Sequence, residues 1–224
     1  MICAGCGAWL SEPRVLNGGA GAVISCVFCG HREPYRRLPL FALTGPSGTG
    51  KSTVGRLLVP LLGPVAVVME QDLLWVGALR DPAGDSAAFR QTWLRLAASV
   101  QQSGRPVVLC GTVAPPQFES WPERALFADI HYLALTCAPD VLAERLRRRP
   151  SWRAWDEERI AEMLEFNAWV MHEHANTTPP MTLLDTTSMS PEQTAAQVAA
   201  WVHAGLARVD RGAVRPIAPR APRM

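Results

Sequence analysis

The sequence is poor in lysine, in tyrosine and in long apolar runs. Of its 22 basic residues only Lys51 is lysine, and the rest are arginine. One lysine cannot serve a mechanism that needs two. A switch-type GTPase reads guanine through an Asn-Lys-x-Asp segment, and a protein kinase needs a strand lysine outside any phosphate loop, so both classes are excluded. No stretch reaches the roughly 18 apolar residues of a membrane span. The start, Met1-Ile2-Cys3-Ala4-Gly5-Cys6, has neither the charged beginning nor the unbroken apolar run of a signal peptide. A cytoplasmic protein with no membrane partner is expected, and in that reducing compartment its six cysteines should be metal ligands or buried thiols rather than disulfides. A net charge of +2 argues against a general polyanion binder.

What is present suffices for a core: 48% of the 224 residues are hydrophobic and 19% charged. The chain reads as four pieces. Residues 1–31 are rich in Gly and Cys, and 32–37 form a charged, Pro-containing linker. Over 38–207, apolar runs alternate with amphipathic stretches. The basic, proline-bearing segment 208–224 has little to bury and reads as a flexible tail. Five short apolar runs, Leu38–Thr44, Val65–Met69, Pro106–Cys110, Ile130–Thr136 and Met181–Leu184, suit parallel strands buried on both faces. Helices are expected over Lys51–Leu62, Ser86–Gln102, Pro139–Arg149, Asp156–His172 and Pro191–Leu206. The fold class is therefore α/β: a three-layer P-loop fold with a five-stranded parallel sheet, preceded by a small module.

That module carries Cys3-x2-Cys6 and Cys26-x2-Cys29, two knuckles each followed by a glycine. Four thiolates complete a tetrahedral Zn2+ shell, and the segment resembles a zinc ribbon. His31 is left as a linker residue. The module is structural, or else it docks a partner or covers part of the active site. Cys110 and Cys137 end apolar runs and read as buried small hydrophobes.

The segment Gly45-Pro46-Ser47-Gly48-Thr49-Gly50-Lys51-Ser52-Thr53 lies between a strand and a helix and fits G-x-x-x-x-G-K-[ST]. Its backbone N–H groups and the helix N-terminus suit a polyphosphate. Lys51 reaches the β/γ-phosphates, and the Ser52 hydroxyl is a Mg2+ ligand. With guanine recognition excluded, the nucleotide is ATP. No acid closes the third apolar run, which continues into Gly111-Thr112, and this counts against motor and AAA-type ATPases.

Glu70-Gln71-Asp72 follows the second strand and should share the rim of the phosphate loop. Asp72 can take the proton of an attacking hydroxyl or, alternatively, cap the next helix. Glu70 could share that role or hold Mg2+ through water. Arg145 and Arg149 lie on one face of a helix that ends near Pro150, placing an Arg-bearing lid at 145–155.

On these residues, 38–207 resembles the P-loop small-molecule kinases, such as chloramphenicol phosphotransferase, gluconate kinase and shikimate kinase. The resemblance implies transfer of the ATP γ-phosphoryl to a hydroxyl of a nucleoside, sugar or antibiotic-like metabolite. It implies that Asp72 stands near that hydroxyl, that Arg145 and Arg149 belong to the lid, and that Thr186 and Thr187 border adenine. The substrate-binding helix would hold Phe89, Arg90 and Trp93, with Trp75, Thr112 and Gln117 near the acceptor. Trp152, Trp155 and Trp169 could stack on a ring or simply pack. The N-terminal ribbon lies outside the pattern of those families. Two other readings stay open. One is a nucleoside monophosphate kinase using Arg80, Arg90 and Arg95 for the acceptor phosphate. The other is a nucleic-acid-associated ATPase or binding module using the ribbon and the basic end, disfavoured by the acidic body.

Overall fold

A computed structural model describes residues 1–18, 21–74 and 86–213, without the side chains of 209–213. Strands β1 (Arg14–Gly18), β2 (Gly21–Ser25) and β3 (Arg32–Tyr35) form an antiparallel sheet. The elements after it are β4 (Leu40–Thr44), α1 (Lys51–Leu62), β5 (Val67–Glu70), α2 (Ala87–Gln101), β6 (Val107–Cys110), α3 (Pro115–Glu119), β7 (Ile130–Thr136), α4 (Pro139–Arg147), α5 (Glu157–Glu173), β8 (Met181–Asp185) and α6 (Pro191–Ala213). The second sheet has the order β5-β6-β4-β7-β8, every neighbouring pair parallel.

The central strand explains the unbroken apolar runs. Leu40 and Ala42 enter one core layer with Trp93 and Leu94 of α2 and Val170 of α5. Phe41 and Leu43 enter the other with Leu58 of α1 and Val202 of α6. Both faces are covered, so each residue of the strand is apolar or, like Thr44, buried with its hydroxyl bonded. Gly205 lets α6 approach closely, because a Cβ there would lie 2.5 Å from Phe41 Cε1.

Two boundaries differ from the sequence reading. The segment 32–37, expected as a linker, holds β3, with Ala22 opposite Tyr35 and Ser25 opposite Arg32. The charged residues of β3, Arg32 and Glu33, are exposed, Tyr35 is buried, and Pro34 is tolerated on an edge strand. At the other end α6 runs to Ala213, six residues into the segment expected to be a flexible tail. No proline interrupts the stretch after Pro191, and Gly205 is tolerated inside the helix, so nothing in the sequence stops it at 207. Residues 214–224 lie outside the described residues.

The antiparallel module is not a bead on a string. Leu10, Ile24 and Tyr35 join the core layer that holds Trp93 and Phe127. Arg95 of α2 donates Nη1 to Leu10 O at 3.3 Å and Nη2 to Ser11 O, and it pairs with the buried Glu123 at 2.5 Å. Its guanidinium also lies 5.1 Å from the Trp9 ring centroid. Arg36 N donates to Gln102 Oε1 at 2.9 Å, and Gln102 Nε2 returns a bond to Arg36 O at 3.1 Å. Arg37 joins Asn17 of β1 to Phe127 O of the body. Among the described residues no helix is long and apolar enough to cross a membrane.

Candidate active site

The four expected zinc ligands converge. The Sγ atoms of Cys3, Cys6, Cys26 and Cys29 all lie within 4.8 Å of one another. Cys3–Cys29 and Cys6–Cys26 are each 3.7 Å apart. A tetrahedral shell with Zn–S bonds of about 2.3 Å has edges of about 3.8 Å, so the spacing fits zinc and is far too long for a disulfide. The two knuckles repeat one geometry. Gly7 N donates to Cys3 O and Gly30 N to Cys26 O, and both glycines have φ of 72°. Further backbone N–H groups, of Gly5 and Phe28, donate to the sulfurs of Cys3 and Cys26. His31 packs against Gly5 and is not in the cluster.

The phosphate loop leaves β4 at the C-terminal rim of the parallel sheet. Gly45 has φ of 121°, and a Cβ there would lie 2.2 Å from Leu135 O of β7, so only glycine lets the loop cross that strand. Gly45→Ala should therefore destabilise the protein by about 2–3 kcal/mol and lower its melting temperature by about 5–10 °C in a thermal melt. Gly48 and Gly50 also have positive φ. Thr49 Oγ1 donates to Pro46 O at 2.9 Å, which cross-braces the loop. Lys51 Nζ donates to Gly45 O at 2.6 Å and to Pro46 O at 2.9 Å. Burial lowers the Lys51 pKa to about 8, with Asp72 opposing this and Arg149 adding to it. A buried ammonium in such a setting gains by meeting the negative charge of a polyphosphate.

Three cavities meet at this loop. One, of about 300 Å3, is lined by Lys51, Ser52, Glu70, Asp72, Arg149 and Arg153 among others. The second, about 520 Å3, adjoins it through Ser47, Asp72, Thr112, Trp152 and Arg153, and adds Gln71, Ser86, Phe89, Arg90 and Arg159. The third, about 300 Å3, lies on the far side of the loop against Thr49, Arg145, Thr186, Pro191 and Thr194. Asp72 stands on the boundary of the first two. Ser52 hydrogen-bonds to Glu70, whose pKa is raised by burial and by Asp72. Ser52, Glu70 and Asp72 offer hard oxygen donors in one cavity, a set that fits Mg2+.

Several expected site residues stand elsewhere. Trp93 is only 1% exposed, donates Nε1 to Gln71 O at 2.7 Å and lines none of these cavities, so it is a core residue that anchors the loop before Asp72. Arg145 turns away from the phosphate cavity and donates to Thr186 O at 3.0 Å and Thr186 Oγ1 at 3.3 Å. Thr187 Oγ1 donates to Asp185 and accepts from Ala138 N, and the residue lines none of the three cavities. Gln117 accepts from Ala114 N and caps α3. Trp169 stacks on Phe166. Trp75 and Arg80 lie outside the described residues. Asp72 is in a short 3-10 turn, Gln71–Leu74, and caps no α-helix among the described residues.

The turn after α4 contributes more than its helix does. Arg153 sits 4.9 Å from the Trp152 ring, and Arg149 and Arg159 both face the Trp155 ring, at 5.3 and 4.4 Å. Burial and Arg153 together lower the Arg149 pKa, while Asp72 opposes them. Arg153 and Trp152 line the cavities from within the lid expected at 145–155, whereas Arg56 and Arg159 carry no signal of a site role in the sequence. Of the Arg run before Pro150, Arg149 lines the cavity of Lys51, and Pro150, Trp152 and Arg153 after it join that lining. Cys110 and Cys137 are buried thiols as expected, with Cys110 pushed up to about 12 by burial.

A family model described as an AAA domain matches residues 42–165, more than half of the chain. The match includes the phosphate loop, and β6 is followed by Gly111-Thr112, without an acid at its end. No curated protein matches the chain. Among solved structures, the APS kinase of Mycobacterium tuberculosis, in complex with AMPPNP and APS, is 18% identical, with 76% of this chain and 99% of that chain covered at a TM-score of 0.52. The YorR protein of Bacillus subtilis, in complex with phosphorylated GDP, is 18% identical over 75% and 98% at 0.50. A gluconokinase of Sinorhizobium meliloti 1021 is 23% identical over 79% and 97% at 0.48.

Proposed function

Because the chain belongs to the AAA domain family, whose match spans the phosphate loop, Asp72 and the Arg-bearing turn, we propose that it is an ATP-dependent phosphotransferase acting on a hydroxyl of a small molecule. The acceptor class is a nucleoside, a sugar or an antibiotic-like metabolite. One observation carries this reading: Asp72 lines both the cavity that holds Lys51 and Ser52 and the larger one beside it. A hydroxyl in the second cavity can hand its proton to the Asp72 carboxylate as it attacks a phosphoryl group in the first.

The chain's own groups divide the remaining work. The loop amides and Lys51 hold the phosphates, and Arg149 and Arg153 offset charge that develops on the transferred group. Bound Mg2+ would neutralise charge between the phosphates, and Ser52, with Glu70 or Asp72, would hold it. Thr186 and its loop would border the base. The four cysteines would hold a structural Zn2+ that takes no part in the chemistry, since no residue of the module lines the phosphate or acceptor cavity among the described residues.

The nucleoside monophosphate kinase reading loses support. Of its two arginines among the described residues, Arg90 lines the acceptor cavity, while Arg95 is committed to Glu123 and the module. The test is ADP formation from ATP–Mg2+ in the presence of panels of nucleosides, sugars, hydroxylated metabolites and nucleoside monophosphates. Stimulation by a hydroxyl compound is expected. Stimulation by monophosphates alone would favour the alternative.

A further inference from the structure

Gln71 is a buried polar side chain that the chemistry above does not use. The residue is 3% exposed, it lines the 520 Å3 cavity beside Asp72, and its Nε2 is buried with no hydrogen-bond partner. Its position is fixed from two sides. Trp93 Nε1 donates to its backbone carbonyl at 2.7 Å. Gly111 leaves the space its carboxamide fills, since a Cβ there would lie 1.6 Å from Gln71 Oε1. A buried amide donor left unpaired costs about 1–3 kcal/mol, so a fold that builds a cradle for one gains when a ligand pairs it.

We propose that Gln71 is a specificity-determining residue for the acceptor. Its Nε2–H donates to an oxygen neighbouring the hydroxyl that Asp72 receives. Gln71 and Asp72 line the same cavity, so the ligand should present two oxygens to it close together: a vicinal diol or a hydroxy acid. A simple alcohol or a monodeoxy analogue leaves the donor unpaired. Sites built to hydrogen-bond a substrate group reject the analogue that lacks it far more strongly than apolar pockets reject a missing methylene. This inference rests on the acceptor reading of the cavity.

The test is binding, read by titration calorimetry in the presence of AMPPNP and Mg2+. The probes are matched pairs: adenosine with 2′- and 3′-deoxyadenosine, ribose with 2-deoxyribose, and gluconate with its 2- and 3-deoxy forms. The wild type should bind the parent of at least one pair about tenfold or more tightly than a deoxy form. Gln71→Met, which keeps the size and removes the donor, should bind both alike, at the affinity of the deoxy compound. Gln71→Glu, which replaces the donor with an acceptor, should weaken the parent and spare the deoxy form. This second variant guards against a folding defect in the first. Equal wild-type binding within every pair, or a preference kept in both variants, would overturn the assignment. Phosphoryl transfer is assayed separately on the same compounds. Lost preference without any transfer would leave Gln71 its role and defeat the kinase reading instead.

Discussion

Asp72→Asn should lower kcat for phosphoryl transfer by about 10²- to 10⁴-fold, with the KM for ATP changed little. Asparagine has the same size and can still accept a hydrogen bond at one oxygen, so the turn Gln71–Leu74 and its anchor on Trp93 should survive. What disappears is a carboxylate able to take the proton of the attacking hydroxyl. Steady-state kinetics with the best acceptor checks this, and a melting curve separates misfolding from chemistry. Turnover within about threefold of the wild type would remove Asp72 from the proton-transfer role. Glu70 would then become the candidate, because it lines the same phosphate cavity.

Stripping zinc should have the second large effect, and it should reach beyond the cysteines. The module has few residues of its own to bury, so the metal supplies much of its folding free energy, on the order of 10 kcal/mol in small zinc modules. Without it Leu10, Ile24 and Tyr35 lose their seats in the body's core, and Arg95 loses the carbonyls of Leu10 and Ser11. The helix that carries Arg95 also carries Phe89 and Arg90 of the acceptor cavity and the Trp93 that holds Gln71. Loosening should therefore spread from the ribbon into the acceptor side and spare the nucleotide side. The measurement is hydrogen exchange with metal present and after chelation, alongside elemental analysis. One zinc per chain is expected, with lost protection over 1–35 and across α2, and unchanged protection over α1. Acceptor KM should rise while ATP affinity holds. Protein without zinc, or an exchange pattern unmoved by the chelator, would count against this role for the module.

Much of this frame was legible in the sequence because local rules coincide with tertiary ones. The phosphate loop prescribes its strand, turn and helix, and α1 starts and stops where its apolar spacing indicates, at Lys51 and Leu62. The four cysteines announce their own cluster. Other parts depend on facts that periodicity cannot carry. Phe89 and Trp93 share a helical face, and the sequence cannot say that one meets a cavity while the other fills the core. Arg145 and Arg149 also share a face, yet Arg145 is held by Thr186, which is far away in sequence, while Arg149 also lines the cavity of Lys51 and Asp72. Gln71 showed no signal at all: a glutamine before an aspartate looks like any loop until Gly111 and Trp93 are seen to hold it. The third strand of the ribbon was hidden by its charges, since an exposed edge strand with one buried tyrosine resembles a linker.

The most direct measurement follows the label of [γ-32P]ATP in the presence of Mg2+ and the acceptor panel. Label appearing on a hydroxyl compound, in amounts that match ADP and vanish with Lys51→Met, is the expected result. Label appearing only as inorganic phosphate, whatever hydroxyl compound is added, would mean that water is the acceptor and would contradict the assignment as a small-molecule phosphotransferase.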